Sequence, residues 1–241
     1  MNKYLLIIAA LAFSLSSAAT DMPTIVNQAK IVDPGSEWLS YGRTYREQPF
    51  SPLNEINRDN VDELDLAWSF KFDTARGMEA TPIVHNGVIY MSTGWSHVHA
   101  LDARTGQELW HYDAEVPKAQ LAKTCCGPVN RGVAIWQEDD SSPLQIFFGA
   151  LDGRLIALDA KTGTENWSIQ STPTDGNYSV TGAPRIVKGM VIIGNGGAEL
   201  GVRGYVSAYD VTTGEMKWRF YTVPGDRNKP QEKVALEAAL E

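Results

Sequence analysis

The sequence has few cysteines, few histidines and no cluster of basic residues. Only two of its 241 residues are cysteine and four are histidine. Two cysteines that stand side by side cannot form the spaced framework of a small disulfide-stabilised domain. The formal net charge of -8, without any Lys/Arg run, argues against a nucleic-acid-binding protein. Beyond the N-terminus, no apolar run is long enough to cross a bilayer, so no transmembrane segment is predicted there.

The longest apolar run lies at the N-terminus. Lys3 precedes an apolar stretch from Tyr4 to Leu15, and small residues follow it. This order is typical of a secretory signal peptide, with cleavage expected after Ala18 or Ala19. A membrane anchor is the alternative interpretation. We therefore predict a signal peptide over residues 1–19 and a periplasmic mature chain.

The two cysteines are the neighbours Cys125 and Cys126. Adjacent Cα atoms lie about 3.8 Å apart across a trans peptide, whereas ordinary disulfides span roughly 4.4–6.8 Å. A bridge between them would close a tight ring and enclose almost no loop, so it would stabilise the fold little. The bridge would instead have a local role, as a rigid apolar plate that packs beside a flat group. The alternative is two reduced, buried thiols in a turn; export to an oxidising compartment favours the bridge.

One motif occurs three times between residues 100 and 218. Each copy has an apolar strand that ends at Asp, a tight Thr-Gly turn and a Trp that opens the next strand. The spacing of roughly 50–57 residues falls in the range of propeller repeats. We predict that each Trp is a packing wedge between blades. The copies are Ala100–Trp110, Ala157–Trp167 and Ala208–Trp218.

Two alternating β runs precede each copy, which gives four short antiparallel strands per unit. The sequence therefore predicts an all-β fold, a β-propeller of four-stranded antiparallel blades. Leu66–Phe72 also alternates and is predicted to be a strand, and Glu37–Asn54 is interpreted as a strap on a larger body. Propellers close with roughly 4–8 blades, whereas this chain has three to four. Residues 20–241 are therefore interpreted as the N-terminal part of a larger propeller.

Two further groups could bind metal. Glu199 is the single carboxylate in the glycine-rich stretch Gly194–Gly204, and it could ligate a hard cation through oxygen. The alternative is a surface hairpin with a solvated Glu199. His97 and His99 alternate along one predicted strand and share a face, so they could supply half of a transition-metal site.

Four short motifs occur in an order that resembles a known family. Together with the Trp repeats, they look like the pyrroloquinoline-quinone (PQQ)-dependent alcohol dehydrogenases. The resemblance extends from Trp38 to the C-terminus, and Val223–Asp226 is closer to the quinohaemoprotein members than to the methanol enzymes. The motifs are Gly77–Pro82, Cys125–Gly132, Ser179–Pro184 and Gly196–Glu199.

The resemblance implies an eight-bladed propeller that carries PQQ and calcium on its axis. Such an enzyme oxidises an alcohol to an aldehyde or ketone and passes the electrons to a c-type cytochrome. Whether a lanthanide replaces calcium, and whether a C-terminal haem c domain follows, stays open. The rival interpretations are a non-catalytic Trp-repeat scaffold of the outer-membrane assembly kind and a truncated pseudoenzyme.

The resemblance also assigns site residues by their place in the motifs. Cys125 and Cys126 would form the disulfide plate against one face of the quinone, and Arg131 would bind its reactive oxygens. The general base would fall beyond Glu241, so no catalytic residue is assigned. Asp139, Asp140 and Asp152 are interpreted as loop and turn residues. The implied cofactor-binding residues are Glu79, Cys125, Cys126, Arg131, Thr181, Gly197 and Ala198, and the implied metal ligand is Glu199.

Overall fold

A computed structural model describes residues 26–139, 141–223 and 225 of the chain. The predicted signal peptide, residues 1–19, lies outside them. Within these residues, twelve strands form three four-stranded sheets, and in each sheet the strands lie side by side in chain order. Every pair of neighbouring strands is antiparallel. The predicted blades are confirmed.

The three blades have closely similar strand lengths. Blade 1 contains β1 (Ile83–His85), β2 (Val88–Ser92), β3 (Val98–Asp102) and β4 (Glu108–Tyr112). Blade 2 contains β5 (Ala134–Trp136), β6 (Gln145–Gly149), β7 (Arg154–Asp159) and β8 (Glu165–Gln170). Blade 3 contains β9 (Arg185–Val187), β10 (Met190–Gly194), β11 (Tyr205–Asp210) and β12 (Met216–Tyr221).

Helical segments in the described residues are short. A single α-helix, α1 (Gln28–Val32), begins after Asn27, whose side chain accepts hydrogen bonds from the amides of Ala29 and Lys30. The remaining helical segments are 3₁₀ turns over Val61–Glu63, Gly94–Ser96, Lys118–Lys123 and Ala198–Leu200. No helix among residues 26–139, 141–223 and 225 combines the length and apolar character needed to cross a bilayer.

The repeated Asp and Gly build the same turn in each blade. In blade 2, Asp159 Oδ1 accepts hydrogen bonds from the Lys161 and Thr162 amides at 3.0 and 2.8 Å. The other copies of this aspartate, Asp102 and Asp210, accept the corresponding bonds. The turn glycines have φ values near +70°, a region that glycine enters without the steric penalty of a Cβ.

The repeated tryptophans join consecutive blades. Trp110, at the end of blade 1, donates its indole N–H to Ala160 O in the blade 2 turn at 2.9 Å. Trp167 makes the same bond to Val211 O in blade 3 at 3.1 Å. Burial of each ring contributes about 2–3 kcal/mol. The predicted role of these two residues as packing wedges is confirmed.

Leu66–Phe72 is not a strand, and that prediction was wrong. The segment alternates as a strand should, but no described strand lies beside it to provide a ladder of hydrogen bonds. Trp68 nevertheless docks as its counterparts do, because its indole donates to Ala103 O in the blade 1 turn at 3.1 Å. The segment therefore docks on blade 1 through Trp68, as β4 and β8 dock on the blades that follow them through Trp110 and Trp167.

The N-terminal chain before blade 1, which includes the strap Glu37–Asn54, closes one end of the three innermost strands. Trp38 exchanges backbone hydrogen bonds with Val84 of β1 at 3.1 and 2.8 Å. The backbone N–H of Gln137, just after β5, donates to Val26 O. The backbone N–H of Lys188, just after β9, donates to the side-chain oxygen of Gln28. All of these contacts lie within or just after the innermost strands. The residues that precede β1, β5 and β9 are left to form the opposite end.

Blade 2 holds the best-buried part of the core, because it lies between the other two blades. Residues 146–148 of β6 and 155–158 of β7 have no solvent-exposed surface. Innermost strands β5 and β9 lie directly against each other. The site is built at the N-terminal ends of these two strands.

Candidate functional site

The site is a cavity of about 150 Å³ at the N-terminal ends of β5 and β9. Three separate stretches of the chain form its walls: the cysteine motif, the segment before β9 and the glycine-rich turn after β10. Within the described residues, these stretches bring most of the predicted site residues together. The lining residues are Thr124, Cys125, Cys126, Gly127, Val129, Arg131, Ser179, Thr181, Gly196, Gly197 and Glu199.

Arg131 is held by partners on two sides. Its backbone amide donates to Thr181 O at 3.0 Å, and its guanidinium donates to Thr181 Oγ1 at 2.8 Å. Its Nη2 forms an ion pair with Glu79 Oε2 at 2.9 Å, with the two side chains 39% and 44% exposed. At that exposure, an ion pair contributes only about 0–1 kcal/mol to stability. The effect of Glu79 and Thr181 is therefore to orient the guanidinium at the cavity wall.

Cys125 and Cys126 are joined as a disulfide, and their Cα atoms lie 3.8 Å apart. Both residues are exposed, so this is not the alternative of two buried thiols in a turn. The loop that carries them follows the 3₁₀ turn Lys118–Lys123, where Thr124 Oγ1 donates to Leu121 O at 2.9 Å. The disulfide therefore presents a small apolar surface to the cavity from a loop whose ends are anchored.

Glu199 is the acidic residue that lines the cavity. It lies on the 3₁₀ turn Ala198–Leu200, which follows Gly197 with φ +105°. A Cβ on Gly197 would overlap the carbonyl oxygen of Asn177, so the close approach of these two backbones requires glycine. Ala198 is exposed and does not line the cavity. Across the described ranges, no group of three or more His, Cys, Asp or Glu side chains could hold a metal. Glu199 is therefore a single candidate ligand.

The two histidines predicted as half of a metal site lie elsewhere, in a cluster with His111 of β4: His97 directly precedes β3 and His99 lies on it. His97 Nδ1 lies 2.9 Å from His111 Nε2, and the rings of His99 and His111 stack with centroids 4.4 Å apart. His99 Nδ1 lies 2.7 Å from Glu108 Oε1. Burial lowers the pKa of both His97 and His99. These histidines do not complete a metal site in the part of the chain that the structure describes.

The aspartates outside the motifs do not line the cavity. Asp152 forms an ion pair with Arg154 at 2.7 Å within a turn. Asp139 accepts hydrogen bonds from Ser141 and Ser142, which hold its pKa below the ordinary value. Asp140 lies outside the described residues. Asp139 and Asp152 thus have the loop and turn roles that the sequence indicated.

Sequence reasoning missed several residues at the site. Ser179 is 3% exposed and lines the cavity, and Asn130 is 2% exposed directly beside Arg131. Both stand inside the quoted motifs, although neither has a chemical pattern of its own. Gln120, 9% exposed, lies outside every motif. Only the fold shows its place, because its partners are backbone carbonyls distant in sequence.

The lining suits a flat molecule that carries negative charge and carbonyl oxygens. One wall is the exposed disulfide, and Arg131 supplies fixed N–H donors beside the hydroxyls of Ser179 and Thr181. No histidine, lysine or aspartate lines the cavity in the described ranges, so its residues supply charge, hydrogen bonds and a flat surface but no general acid–base pair. PQQ, a planar quinone with carboxylates, fits this set of donors.

Comparisons with known proteins agree with this chemistry. A family described as "PQQ: Glucose/ethanol/alcohol dehydrogenase, beta-propeller domain" matches residues 38–239. The quinohemoprotein alcohol dehydrogenase ADH IIB of Pseudomonas putida is 58% identical over 205 residues, which cover 85% of this chain and 29% of that protein. The chain is 47% identical to 206 residues of the 1-butanol dehydrogenase (cytochrome c) of Thauera butanivorans, covering 85% of this chain and 29% of that protein.

The structural comparison gives the same result. The crystal structure of the quinohemoprotein alcohol dehydrogenase from Comamonas testosteroni superposes with a TM-score of 0.83 at 47% identity. The match covers 89% of this chain and 32% of that one, so the chain spans about a third of the length of this relative. On the extent of the family match and these identities, the chain belongs to the PQQ-dependent glucose, ethanol and alcohol dehydrogenase family, through its β-propeller domain.

Proposed function

We propose that the protein to which this chain belongs oxidises a small alcohol to an aldehyde or ketone with PQQ as the redox cofactor. The observation that carries the proposal is the convergence of Arg131, the Cys125–Cys126 disulfide and Glu199 on one cavity. The 58% identity to a quinohemoprotein alcohol dehydrogenase supports the same reaction class. Residues 20–241 would be the N-terminal part of its propeller.

The residues of this chain would hold PQQ from one side. When bound, PQQ supplies the redox chemistry by accepting a hydride from the alcohol carbon. The disulfide would lie against one face of the ring system, and the guanidinium of Arg131 would bind its oxygens and stabilise negative charge on them. Thr181 and Glu79 would keep Arg131 in place, and Gly197, which lines the cavity, would bring backbone close to the ring. The general base would come from the chain beyond Glu241.

Glu199 would supply one oxygen ligand to a Ca²⁺ ion beside PQQ, since hard cations prefer carboxylate oxygen. The other ligands would come from residues outside the described part of the chain. Electrons would pass to a c-type cytochrome, as the name of the Thauera butanivorans relative, 1-butanol dehydrogenase (cytochrome c), suggests. A periplasmic location and a further haem c domain would be consistent with such a partner.

The test is a PQQ titration of the full protein, with Arg131→Met as the variant and Arg185→Met as the matched control. Arg185 also pairs with a glutamate, Glu47 at 2.8 Å, and is 35% exposed, but it does not line the cavity. Loss of charge-assisted hydrogen bonds should weaken PQQ binding about 10–100-fold in Arg131→Met. Arg185→Met should bind as the unmodified protein does.

Activity and metal preference are measured in the same preparation. With PQQ and Ca²⁺ added, the full protein should reduce an artificial electron acceptor only when an alcohol is present. If the acceptor is reduced faster with a lanthanide ion than with Ca²⁺, the proposed metal is a lanthanide and not calcium. A full protein that binds neither PQQ nor metal would favour the non-catalytic scaffold. Binding without turnover would favour the pseudoenzyme.

The domain proposal has its own test, which is the gene sequence past the codon for Glu241. An open frame that encodes further Trp-repeat blades would support the proposal that residues 20–241 are one part of a propeller. A stop codon at that position would contradict it.

A further inference from the structure

Two buried side-chain amides flank the loop that carries the disulfide. This loop, residues 121–129, is named here the cysteine loop. Gln120 immediately precedes it and is 9% exposed, and Asn130 immediately follows it and is 2% exposed. The two cysteines between them are exposed. The loop is thus anchored at its two ends and open to solvent in its middle.

Both amides bind the same structure, the turn between β6 and β7. Asn130 Nδ2 donates to Gly149 O at 2.7 Å, and Gln120 Nε2 donates to Leu151 O at 3.1 Å. Gln120 Nε2 also donates to Tyr178 O at 2.9 Å, directly before the cavity residue Ser179. One turn of blade 2 therefore fixes both ends of the cysteine loop and links them to the opposite wall of the cavity.

Asn130 also makes a hydrogen bond that fixes the backbone around Arg131. Its Oδ1 accepts a hydrogen bond from the Gly132 amide at 3.2 Å, so the side chain spans the backbone on both sides of Arg131. Gly132 has φ +137°, and a Cβ added to it would lie 3.3 Å from Ala183 Cβ and 3.5 Å from Thr81 O. The backbone from which the Arg131 guanidinium projects is therefore set by Asn130.

Blade 1 supports the same turn and the same loop. The Leu151 amide donates to Ser96 Oγ at 2.9 Å, and Ser96 has no exposed surface. Its neighbour Trp95 donates its backbone N–H to Pro128 O, within the cysteine loop, at 2.8 Å. Trp95 and Ser96 both have positive φ, 65° and 64°, which non-glycine residues rarely adopt. Backbone strain of this kind persists where the surrounding contacts impose it.

We propose that Gln120 and Asn130 are positioning residues, which hold the cysteine loop and Arg131 in the arrangement that binds the cofactor. Asn130 donates to Gly149 O and Gln120 donates to Leu151 O in buried hydrogen bonds, and a buried acceptor that loses its donor costs free energy, so removing either amide frees the loop locally. The identity of the bound group rests on the proposed function, whereas the anchoring of the loop does not.

Hydrogen exchange of the full protein without cofactor tests the anchoring. In Gln120→Met and Asn130→Asp, the amides of residues 118–132 should exchange about tenfold faster, because a buried hydrogen bond is lost at one end of the loop. Asn130→Asp keeps the acceptor for Gly132 and removes the donor to Gly149. The two variants lie at opposite ends of the loop, so if one of them does not fold, the other still tests the anchoring.

The matched control is Gln145→Met. Gln145 is 7% exposed and donates to Val211 O at 3.4 Å, but it lies at the end of β6 remote from the cavity. This variant should lower overall stability and leave exchange in residues 118–132 unchanged. Equal exchange in the control and in the two test variants would show that the amides have only a general structural role, and would overturn the proposal.

A PQQ titration of the same variants separates this proposal from the proposed function. PQQ should bind about tenfold more weakly to Gln120→Met and Asn130→Asp, with a shifted absorption spectrum of the bound quinone, and unchanged to Gln145→Met. Unchanged PQQ binding in a protein whose loop exchanges faster would contradict the cofactor role. If the unmodified protein binds no PQQ, the proposed function fails, and the exchange result still decides whether the loop is anchored.

Discussion

Side chains at the two ends of the innermost strands differ in whether a ligand can reach them. At the open end, Arg131 is held by Glu79 and Thr181, and all three are partly accessible to a ligand. At the closed end, His85 is 2% exposed and lies 2.6 Å from Glu37 of the strap. Arg131 and its partners can form new hydrogen bonds when a ligand arrives. The buried pair of His85 and Glu37 instead holds the strap against β1.

The histidine cluster on β3 and β4 predicts that stability depends on pH. Burial lowers the pKa of His97 and His99, although Asp113, Asp73 and Glu108 favour the charged forms, and His111 opposes them. Histidine in an unfolded chain titrates near 6.5, so below that pH the unfolded state binds more protons than the folded state. The stability is therefore complete above about pH 6.5 and falls as the pH falls through the folded pKa values.

Urea unfolding between pH 7.5 and 5.5 measures this dependence. The free energy of unfolding should decrease towards pH 5.5 in the unmodified protein and stay nearly constant in the double variant His97→Gln/His99→Gln. The same slope in both proteins would show that groups other than these histidines are responsible. The ring centroids of Phe72 and His99 lie 4.7 Å apart. Phe72 should therefore become more accessible to solvent as the pH falls and His99 is protonated.

At the residue scale, the sequence predicted the exposed chemistry better than the buried support. Arg131, Thr181 and Glu199 stand in recognisable motifs, and the structure places them around one cavity. Gln120 could not be predicted, because a glutamine in a polar stretch gives no signal. Its importance comes from the carbonyls of Leu151 and Tyr178, which the fold brings to it from 31 and 58 residues away.

Among the elements, the Asp-x-x-Thr-Gly turn does two things at once. It closes each outer hairpin, and it receives the Trp of the preceding blade. A Cβ added at Gly163 would lie 2.7 Å from the Trp110 ring, so the glycine gives the ring its place as well as allowing φ +72°. The turn and the wedge are therefore one unit of structure.

This double role is tested by Gly163→Ala with Gly87→Ala as the matched control. Gly87 has nearly the same φ, +73°, with nothing within 4 Å of an added Cβ. The control should lose about 1 kcal/mol of unfolding free energy from backbone strain alone. Gly163→Ala should lose about 1–3 kcal/mol more, because the methyl group displaces the indole. Equal losses in urea unfolding would mean that the ring moves aside without cost.

The sequence predicted elements wherever the two signals, alternation and turn residues, occurred together. All three repeats became outer hairpins with the expected turn. Leu66–Phe72 shows that alternation alone does not predict a strand. The segment alternates, and Trp68 docks as its counterparts do, but a strand also requires a neighbouring strand to pair with. The side-chain pattern does not show whether such a neighbour is present.

At the scale of the whole molecule, the described blades have an apolar face at the end of blade 3. Met216, Trp218 and Phe220 alternate along β12 and are 50%, 41% and 41% exposed. Trp218 stands at the position in its repeat that Trp110 and Trp167 occupy in theirs. Those two rings dock on the turn of the next blade.

We expect Trp218 in the full protein to dock on a further Asp-x-x-Thr-Gly turn. Trp218→Ala should then reduce the unfolding free energy by about 3–5 kcal/mol, the cost typical of removing a buried Trp. Trp110→Ala, with Trp110 only 9% exposed, is the reference for a fully docked ring. A loss below about 0.5 kcal/mol for Trp218→Ala would place β12 at a solvent-exposed edge.

The fold class and the blade count followed from the repeat, because a motif that recurs every 50 or so residues can only be one unit of a repetitive fold. The closing strap was predicted as a segment packed on a larger body, but not its place at one end of the innermost strands. Its contacts combine a backbone pairing of Trp38 with Val84, which any sequence could make, with the side-chain pairs Glu37–His85 and Glu47–Arg185, whose partners are 48 and 138 residues apart in sequence.

The joints between blades have a direction. At each one the preceding part of the chain (the Trp68 segment, blade 1 or blade 2) supplies the indole donor, and the following blade supplies the carbonyl acceptor and the glycine. Since every joint uses the same pair of groups, the chemistry of a joint does not specify which blade comes next; only the order of the chain does. A gene in which one blade is duplicated or lost would therefore still encode matching joints. The cavity is what such a change would disrupt, because its lining residues come from separate stretches of the chain and each stretch occurs once.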